Sequence, residues 1–295
     1  MKRSQPTSTF ALTVFYAITN ERMTPISTAY EAADIKVLEG LEPVRKRPGM
    51  YIGSTDTKGL HHLAKEILDN SVDEAIAGYG KNIQLFLAPV TDEERRAGDE
   101  ELLGDESITV VDNGRGIPVD THASGVSAMQ VVMTKLHAGG KFEETAYQAS
   151  GGLHGVGAAA VNALSGLMRI LVKRDGKYYF QEYIKGTPKE DVRNLTKAQV
   201  LELFGKAAEK FVTYDSGTVA QFIPDKSIFS TTTFRHEKIE QALKDRAYLM
   251  AGLYFEFYDL IQDTEQHFYF ENGIKSLVSH INHDRKPLHE PFYNS

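Results

Sequence analysis

The feature that most constrains this 295-residue chain is a helical pattern at residues 66–77. At about 100° per residue, Glu66, Asn70, Asp73 and Ala77 fall in one stripe roughly 60° wide. The opposite side is almost wholly apolar, which predicts a helix with one face in a protein core. Most charged helix faces are merely solvated, but this combination of carboxylates and a carboxamide can also line a ligand site. Both interpretations are open until the later motifs are considered.

Composition excludes several classes of protein. The chain is 41% hydrophobic and 25% charged, which is typical of an ordinary globular protein. It has no cysteine, so a disulfide framework and a thiolate metal site are excluded, and a reducing compartment is favoured. Its 33 basic and 40 acidic residues give a net charge of −7, which argues against a surface that grips DNA directly. No stretch is long enough to cross a membrane, and we expect a cytoplasmic protein.

The N-terminus allows two interpretations. Lys2 and Arg3 precede a short apolar run at residues 10–18, which resembles a weak signal peptide. No clear cleavage site follows this run, so an upstream extension before a start at Met23 is the preferred interpretation. We expect residues 1–28 to be a loosely ordered extension.

Two glycine-containing strings follow predicted secondary structure. A strand at residues 108–111 runs into DNGRGIP at residues 112–118, which places a carboxylate at the buried end of a strand. The string SGGLHGVG at residues 150–157 precedes a predicted small-residue helix, where backbone N–H groups can approach an anion. Each string alone could equally be an ordinary turn or surface loop.

Two other phosphate-binding motifs are excluded. The chain contains no GxxxxGK[ST] string, so it is not a P-loop protein. Residues 155–160 fit a loose dinucleotide fingerprint, but no strand precedes them. Residues 169–184 instead predict an antiparallel hairpin around an Asp-Gly turn, which argues against a Rossmann unit.

Two further segments carry structural predictions without a function. Residues 89–107 are rich in acidic side chains and have no apolar period, which predicts a solvated hairpin insertion. Residues 196–211 are predicted to form one helix with Thr196 as its N-cap.

Four motifs in order resemble the GHKL, or Bergerat-type, ATPase domain. They are ExxxN on the helix, DxGxG after a strand, GGxHGxG before a helix, and a later Gly-Thr strand. This domain is shared by gyrases, heat-shock chaperones, mismatch-repair proteins and histidine kinases. The strings RKRPGMYIG, HAGGKF and SGGLHGVG are narrower. They resemble the B subunits of bacterial type IIA topoisomerases, DNA gyrase and topoisomerase IV.

The resemblance covers roughly residues 29–293 and implies a fold and a domain plan. The implied fold is an α/β two-layer sandwich, a mixed sheet with helices on one face. We expect the ATPase domain at residues 29–285, with a dimerisation arm at residues 29–41. Residues 286–295 are expected to start a linker to a transducer domain, which supplies a lysine to the γ-phosphate in this family.

The resemblance also implies roles for individual residues. Glu66 would be the general base for the attacking water, oriented by His62, and Asn70 would hold Mg²⁺. Asp112 would accept the adenine amino proton. The other residues that the resemblance places around the nucleotide are Asp73, Glu74, Arg115, Gly116, Ile117, Pro118, Lys141, Tyr147, Gly152, Leu153, His154, Gly155, Val156, Gly157, Arg174 and Thr218.

Some of these residues have specific expected neighbours. Glu74 is expected to pair with Arg115 beside the base, and Thr218 is expected to assist Asp112. Lys141 and the backbone at residues 153–157 are expected to hold the phosphates.

The implied partners and the open alternatives complete the prediction. A second copy of the chain would be bound through Tyr30 and Ile35 of the arm. The topoisomerase A subunit and DNA would be bound through parts outside this chain. One alternative is a nucleotide-binding dimerisation switch with little turnover. Another is a mismatch-repair or chaperone ATPase of the same superfamily. The sequence does not separate gyrase from topoisomerase IV.

Overall fold

A mixed sheet forms the centre of the structure. The computed structural model describes residues 38–138, 155–283 and 289. The strands are β1 (Asn82–Pro89), β2 (Glu106–Asp112), β3 (Ser165–Arg174), β4 (Lys177–Ile184), β5 (Thr187–Pro188), β6 (Arg193–Leu195), β7 (Gly217–Pro224), β8 (Tyr254–Asp259) and β9 (Thr264–Phe268). Their order is β5-β4-β3-β7-β2-β1-β8-β9, with β6 pairing with β4. Strands β1 and β8 are parallel, and the other pairings are antiparallel.

The described helices connect these strands and cover the sheet. They are α1 (Glu42–Lys46), α2 (Gly49–Ile52), α3 (Thr57–Ile76), α4 (Asp92–Ala97), α5 (Ala128–Thr134), α6 (Gly157–Ala163), α7 (Lys197–Phe204), α8 (Lys206–Phe211), α9 (His236–Leu249) and α10 (Ile274–Ile281). Within the part of the chain that is described, no helix has the length and apolar character needed to cross a membrane.

The main core lies between one face of the sheet and helices α3, α6 and α9. Successive side chains on a strand point to opposite faces. On β1, therefore, Leu85 faces this core while Phe86 faces the other side. Helix α3 buries Ile67, Leu68 and Val72 here, which confirms the predicted apolar face of the helix at residues 66–77.

Residues 89–107 are not a solvated hairpin, so that prediction is wrong. Helix α4 and the following turn pack on the second face of the sheet, where Leu103 is fully buried. The fully buried Arg169 of β3 donates to both carboxylate oxygens of Glu93 at 2.7 and 2.9 Å and to Glu182 at 2.8 Å. At least one acidic residue of the segment, Glu93, therefore forms an ion pair with a buried arginine that is distant in the sequence. The periodicity of the segment itself cannot predict such a long-range contact.

Residues 196–211 form two helices rather than one. Thr196 caps α7 in a capping box, as predicted, but Gly205 ends that helix at φ +50°. Helices α7 and α8 bury Phe204 and Phe211 against the second face of the sheet. The predicted α/β fold with a mixed sheet is confirmed. The prediction that helices cover only one face of the sheet is incomplete. Helices α3, α6 and α9 cover that face, but α7 and α8 cover part of the second face.

Candidate functional site

Helix α3 carries the predicted catalytic side chains. Asp56 begins the helix by accepting from the backbone N–H groups of Lys58 and Gly59. One turn into it, His62 Nε2 lies 3.1 Å from Glu66 Oε1, and both side chains remain partly exposed. A Cβ at Gly157, the first residue of α6, would overlap Glu66 Oε2. Glycine at this position therefore lets the carboxylate lie against the start of α6.

Asp112 lies at the end of β2, between β1 and β7, and points toward α3. Its Oδ1 accepts from the backbone N–H of Gly114 at 2.9 Å and from that of Thr218 at 3.3 Å. Its Oδ2 accepts from the Ser71 hydroxyl at 2.8 Å. Gly217 is required beside it, because a Cβ there would overlap the Asp112 carbonyl oxygen. The carboxylate is thus held in one orientation by both neighbouring elements.

The electrostatic environment of Asp112 is unusual for an aspartate. Only 6% of the residue is exposed. Burial raises the pKa of Asp112 to about 6, and the nearby Glu74 carboxylate adds to this rise. The hydrogen bonds from Gly114, Ser71 and Thr218 act in the opposite direction. At neutral pH the group is therefore an ionised acceptor in a pocket that disfavours charge.

The loop after β2 is held by an ion pair that the family resemblance implies. Arg115 donates through Nε and Nη2 to the Glu74 carboxylate at 3.1 and 2.9 Å, so the predicted pairing is confirmed. The Arg115 guanidinium also lies 3.7 Å from the centre of the Tyr79 ring. Gly116 adopts φ +76°, and its carbonyl accepts from Arg174 Nη1 at 3.1 Å. This arrangement brings Arg174 to the same loop.

The remaining predicted residues fall into two groups. Asn70 and Asp73 lie on α3, and Asp73 is almost fully buried. Ile117 packs partly against the main core, and Pro118 is exposed. Among the residues that the structure describes, the other predicted ones are Gly155 and Val156, at the start of α6. The predicted residues outside the described residues are Tyr30, Ile35, Lys141, Tyr147, Gly152, Leu153 and His154.

The structure also identifies residues that sequence reasoning missed. Ser71 is buried in the apolar stripe of α3 and contacts Asp112 directly. Gly114 donates its N–H to the same carboxylate. Asn113 accepts from the backbone N–H groups of Lys81 and Asn82, which joins the start of β1 to the end of β2. A lone hydroxyl among apolar helix positions was the available signal for Ser71.

The side chains present fit a magnesium ion that arrives with a phosphate ligand. Mg²⁺ prefers oxygen ligands and in nucleotide sites keeps waters and substrate phosphates beside one or two protein groups. The Asn70 carboxamide oxygen is a suitable donor, one helical turn from Glu66. No group of three or more acidic, histidine or cysteine side chains arranged for a metal was found among the described residues.

Comparison with known proteins reveals the family. Residues 55–213 match the family model described as "Histidine kinase-, DNA gyrase B-, and HSP90-like ATPase". The DNA gyrase B subunit of Archaeoglobus fulgidus is 47% identical over 273 residues, which are 92% of this chain and 39% of the relative. The DNA topoisomerase 4 B subunit of Bacillus subtilis is 44% identical over 261 residues, 88% of this chain and 35% of the relative. The chain therefore spans between a third and two fifths of the length of these relatives.

A solved structure leads to the same conclusion. The crystal structure of the 43K ATPase domain of Thermus thermophilus gyrase B, in complex with an aminocoumarin, matches with a TM-score of 0.66 and 36% identity. The match covers 85% of this chain and 57% of that one. The predicted resemblance to topoisomerase B subunits is confirmed, and the chain belongs to the family of histidine kinase-, DNA gyrase B- and HSP90-like ATPases.

Proposed function

We propose that this chain is the ATP-binding and ATP-hydrolysing domain of the B subunit of a bacterial type II DNA topoisomerase. The observation that carries the proposal is the arrangement along α3. An oriented, buried acceptor, Asp112, lies beside the helix that carries the Glu66–His62 pair. A base-recognition group that contacts the helix carrying a potential general base is what a nucleotide hydrolase needs.

Asp112 recognises the base in this proposal. An ionised carboxylate only accepts hydrogen bonds, so it favours the exocyclic amino group of adenine over the carbonyl oxygen of guanine. Arg115 lies in the loop that follows Asp112, and Glu74 and Tyr79 fix the orientation of its guanidinium. A guanidinium fixed in this way can lie flat against a base.

Glu66 removes a proton from the attacking water. His62, 3.1 Å away, holds the carboxylate in place for this step. When bound with the nucleotide, Mg²⁺ would supply charge neutralisation at the phosphates, and Asn70 would hold it. Lys141, Tyr147 and the backbone at residues 152–157 complete the proposed phosphate site.

The wider role follows from the relatives. We assign residues 29–285 to the ATPase domain and residues 1–28 to an extension, with a linker beginning at residue 286. Tyr30 and Ile35 belong to the arm that binds a second copy when ATP is present. The A subunit and DNA engage other parts of the assembled enzyme, which acts in the cytoplasm. The names of the relatives and the net charge of −7 support the proposal that DNA and the A subunit bind elsewhere in the enzyme.

Nucleotide binding and turnover by the chain itself test the proposal. Calorimetric titration should detect ATP with Mg²⁺ and much weaker GTP, and removal of Mg²⁺ with a chelator should weaken ATP binding. Phosphate release should be slow but specific to ATP. Binding without turnover would favour the alternative of a dimerisation switch. No ATP binding, or equal affinity for ATP and GTP, would contradict the assigned site.

A further inference from the structure

Ser71 contacts the one carboxylate that the proposed function assigns to base recognition. Only 6% of Ser71 is exposed, and its hydroxyl lies 2.8 Å from Asp112 Oδ2. Because an ionised carboxylate can only accept, the hydroxyl is the donor in this contact. The bond joins α3 to the end of β2, so it fixes the carboxylate against the helix.

The two oxygens of Asp112 are not equally occupied. A carboxylate offers about four lone-pair positions, two on each oxygen. Oδ1 accepts from the N–H groups of Gly114 and Thr218, which fills its positions. Among the residues that the structure describes, Ser71 is the only donor to Oδ2. The remaining acceptor position is therefore on Oδ2, immediately beside the Ser71 hydroxyl.

We infer that Ser71 is a positioning residue that orients Asp112 Oδ2 to accept the amino group of an adenine base. This inference rests on the proposed function. Ser71 does not need to touch the nucleotide, because it acts through the carboxylate. Its hydrogen bond fixes the carboxylate torsion and favours the ionised, acceptor-only form that burial opposes.

The inference makes Ser71 a determinant of base selection rather than of phosphate binding. Removing the hydroxyl leaves Asp112 with its two backbone donors, but Oδ2 is free to rotate or take up a proton. Binding of a base with a 6-amino group should then weaken. Binding of an analogue without that group should be unaffected, since it makes no bond to Oδ2.

The test compares two nucleotides on two serine variants of the full chain. Affinities for ATP and for purine riboside triphosphate, which lacks the 6-amino group, are measured by calorimetry with Mg²⁺. Ser71→Ala should lower affinity for ATP by about three- to tenfold, the range of one net hydrogen bond, and leave the analogue unchanged. Cysteine is similar in shape to serine but is a weaker donor. Ser71→Cys should therefore have an affinity for ATP between those of the wild type and Ser71→Ala.

Ser165→Ala is the matched control. Ser165 is fully buried and donates to the Val161 carbonyl at 2.7 Å, and it pairs with the opposite end of β7 from Thr218, the neighbour of Asp112. This variant should lose some stability yet keep the wild-type ratio of the two affinities. If Ser71→Ala weakens both ligands equally, or neither, the inference is overturned while the proposed function stands. If the wild type itself does not distinguish the two ligands, the proposed base recognition fails instead.

Discussion

Two carboxylates are buried on opposite faces of the same sheet, and they differ in the donors around them. Asp112 faces α3 and, within the described part of the chain, accepts from three neutral donors. Glu256 of β8 faces α8, is 3% exposed, and accepts from Asn82, Gln84 and Tyr258 at 2.6–3.0 Å and also from Lys210. With four donors for about four lone-pair positions, Glu256 is saturated and Asp112 is not.

The difference appears in the proton affinity of the two groups. Burial raises the pKa of Asp112 to about 6 because its donors are few and uncharged. Burial acts on Glu256 as well, but Lys210 and the neutral donors lower the pKa of Glu256 to about 2. A saturated carboxylate stabilises the fold, whereas an unsaturated one costs stability and keeps a position open for a ligand.

The largest expected effect is at Glu66, on α3, the helix that Asp112 contacts through Ser71. Glu66→Gln should reduce ATP hydrolysis by roughly 10²–10⁴-fold, because the amide cannot accept the proton of the attacking water. Nucleotide affinity should change little, since a general base contributes mainly to the transition state. Phosphate release and calorimetry on the same samples provide the measurement, with Glu256→Gln as the control. Turnover within a few fold of wild type would exclude Glu66 as the base.

On the opposite face, Glu256→Gln should reduce stability without altering nucleotide affinity. We expect the free energy of unfolding at pH 7 to fall by on the order of 2–3 kcal/mol, because a charged acceptor of four hydrogen bonds is lost. Lys210 is partly exposed and can be rehydrated, which limits the loss.

The sign of the pH dependence at Glu256 follows from its lowered pKa. Its contribution is fully present above the unfolded pKa, near 4.5, and is lost as pH falls toward 2. The difference between wild type and variant in urea unfolding should therefore shrink on acidification. A constant difference from pH 7 to pH 3 would contradict the assignment.

Asp112→Asn should have the opposite effect to Glu256→Gln. It should lower the affinity for ATP and change the free energy of unfolding at pH 7 little. The asparagine amide presents a donor toward the adenine amino group, which should cost about 1–3 kcal/mol of binding free energy. Titration of ATP into wild type and variant measures this effect. An unchanged affinity for ATP would remove Asp112 from base recognition.

The smallest expected effect is a pH-dependent gain in relative stability for Asp112→Asn. The folded pKa near 6 exceeds the ordinary value of 3.8, so the folded wild type loses stability as pH rises between these values. The asparagine variant lacks this titration. Its unfolding free energy relative to wild type should rise by on the order of 1–2 kcal/mol between pH 4 and pH 7. A decrease over that range would contradict the raised pKa.

Much of the site could be predicted because its signals are local. Glu66 and Asn70 are one helical turn apart, and Asp112 is the last residue of its strand. The pairing of Glu74 with Arg115 joins distant residues, and the family resemblance implied it. Spacing and resemblance together were therefore sufficient to predict the α3 face and the loop after β2.

The second face could not be predicted because its contacts are long-range. Arg169 forms an ion pair with Glu93, which lies in the acidic segment at residues 89–107. That segment has no apolar period from which the contact could be predicted. Glu256 is surrounded by side chains from β1, α8 and its own strand, and no local pattern marks it. The position of Ser71 on α3 predicts only that it is buried, since its partner Asp112 lies 41 positions away in the sequence.

A carbon-13 NMR titration of the side-chain carboxylates, with and without a non-hydrolysable ATP analogue, tests the central claim most directly. Without nucleotide, Asp112 should titrate near pH 6. With nucleotide its pKa should fall clearly, because a hydrogen bond from the adenine amino group favours the ionised form. Glu256 should titrate near pH 2 in both samples. An Asp112 titration that is the same with and without saturating nucleotide would contradict its role as the acceptor of the base.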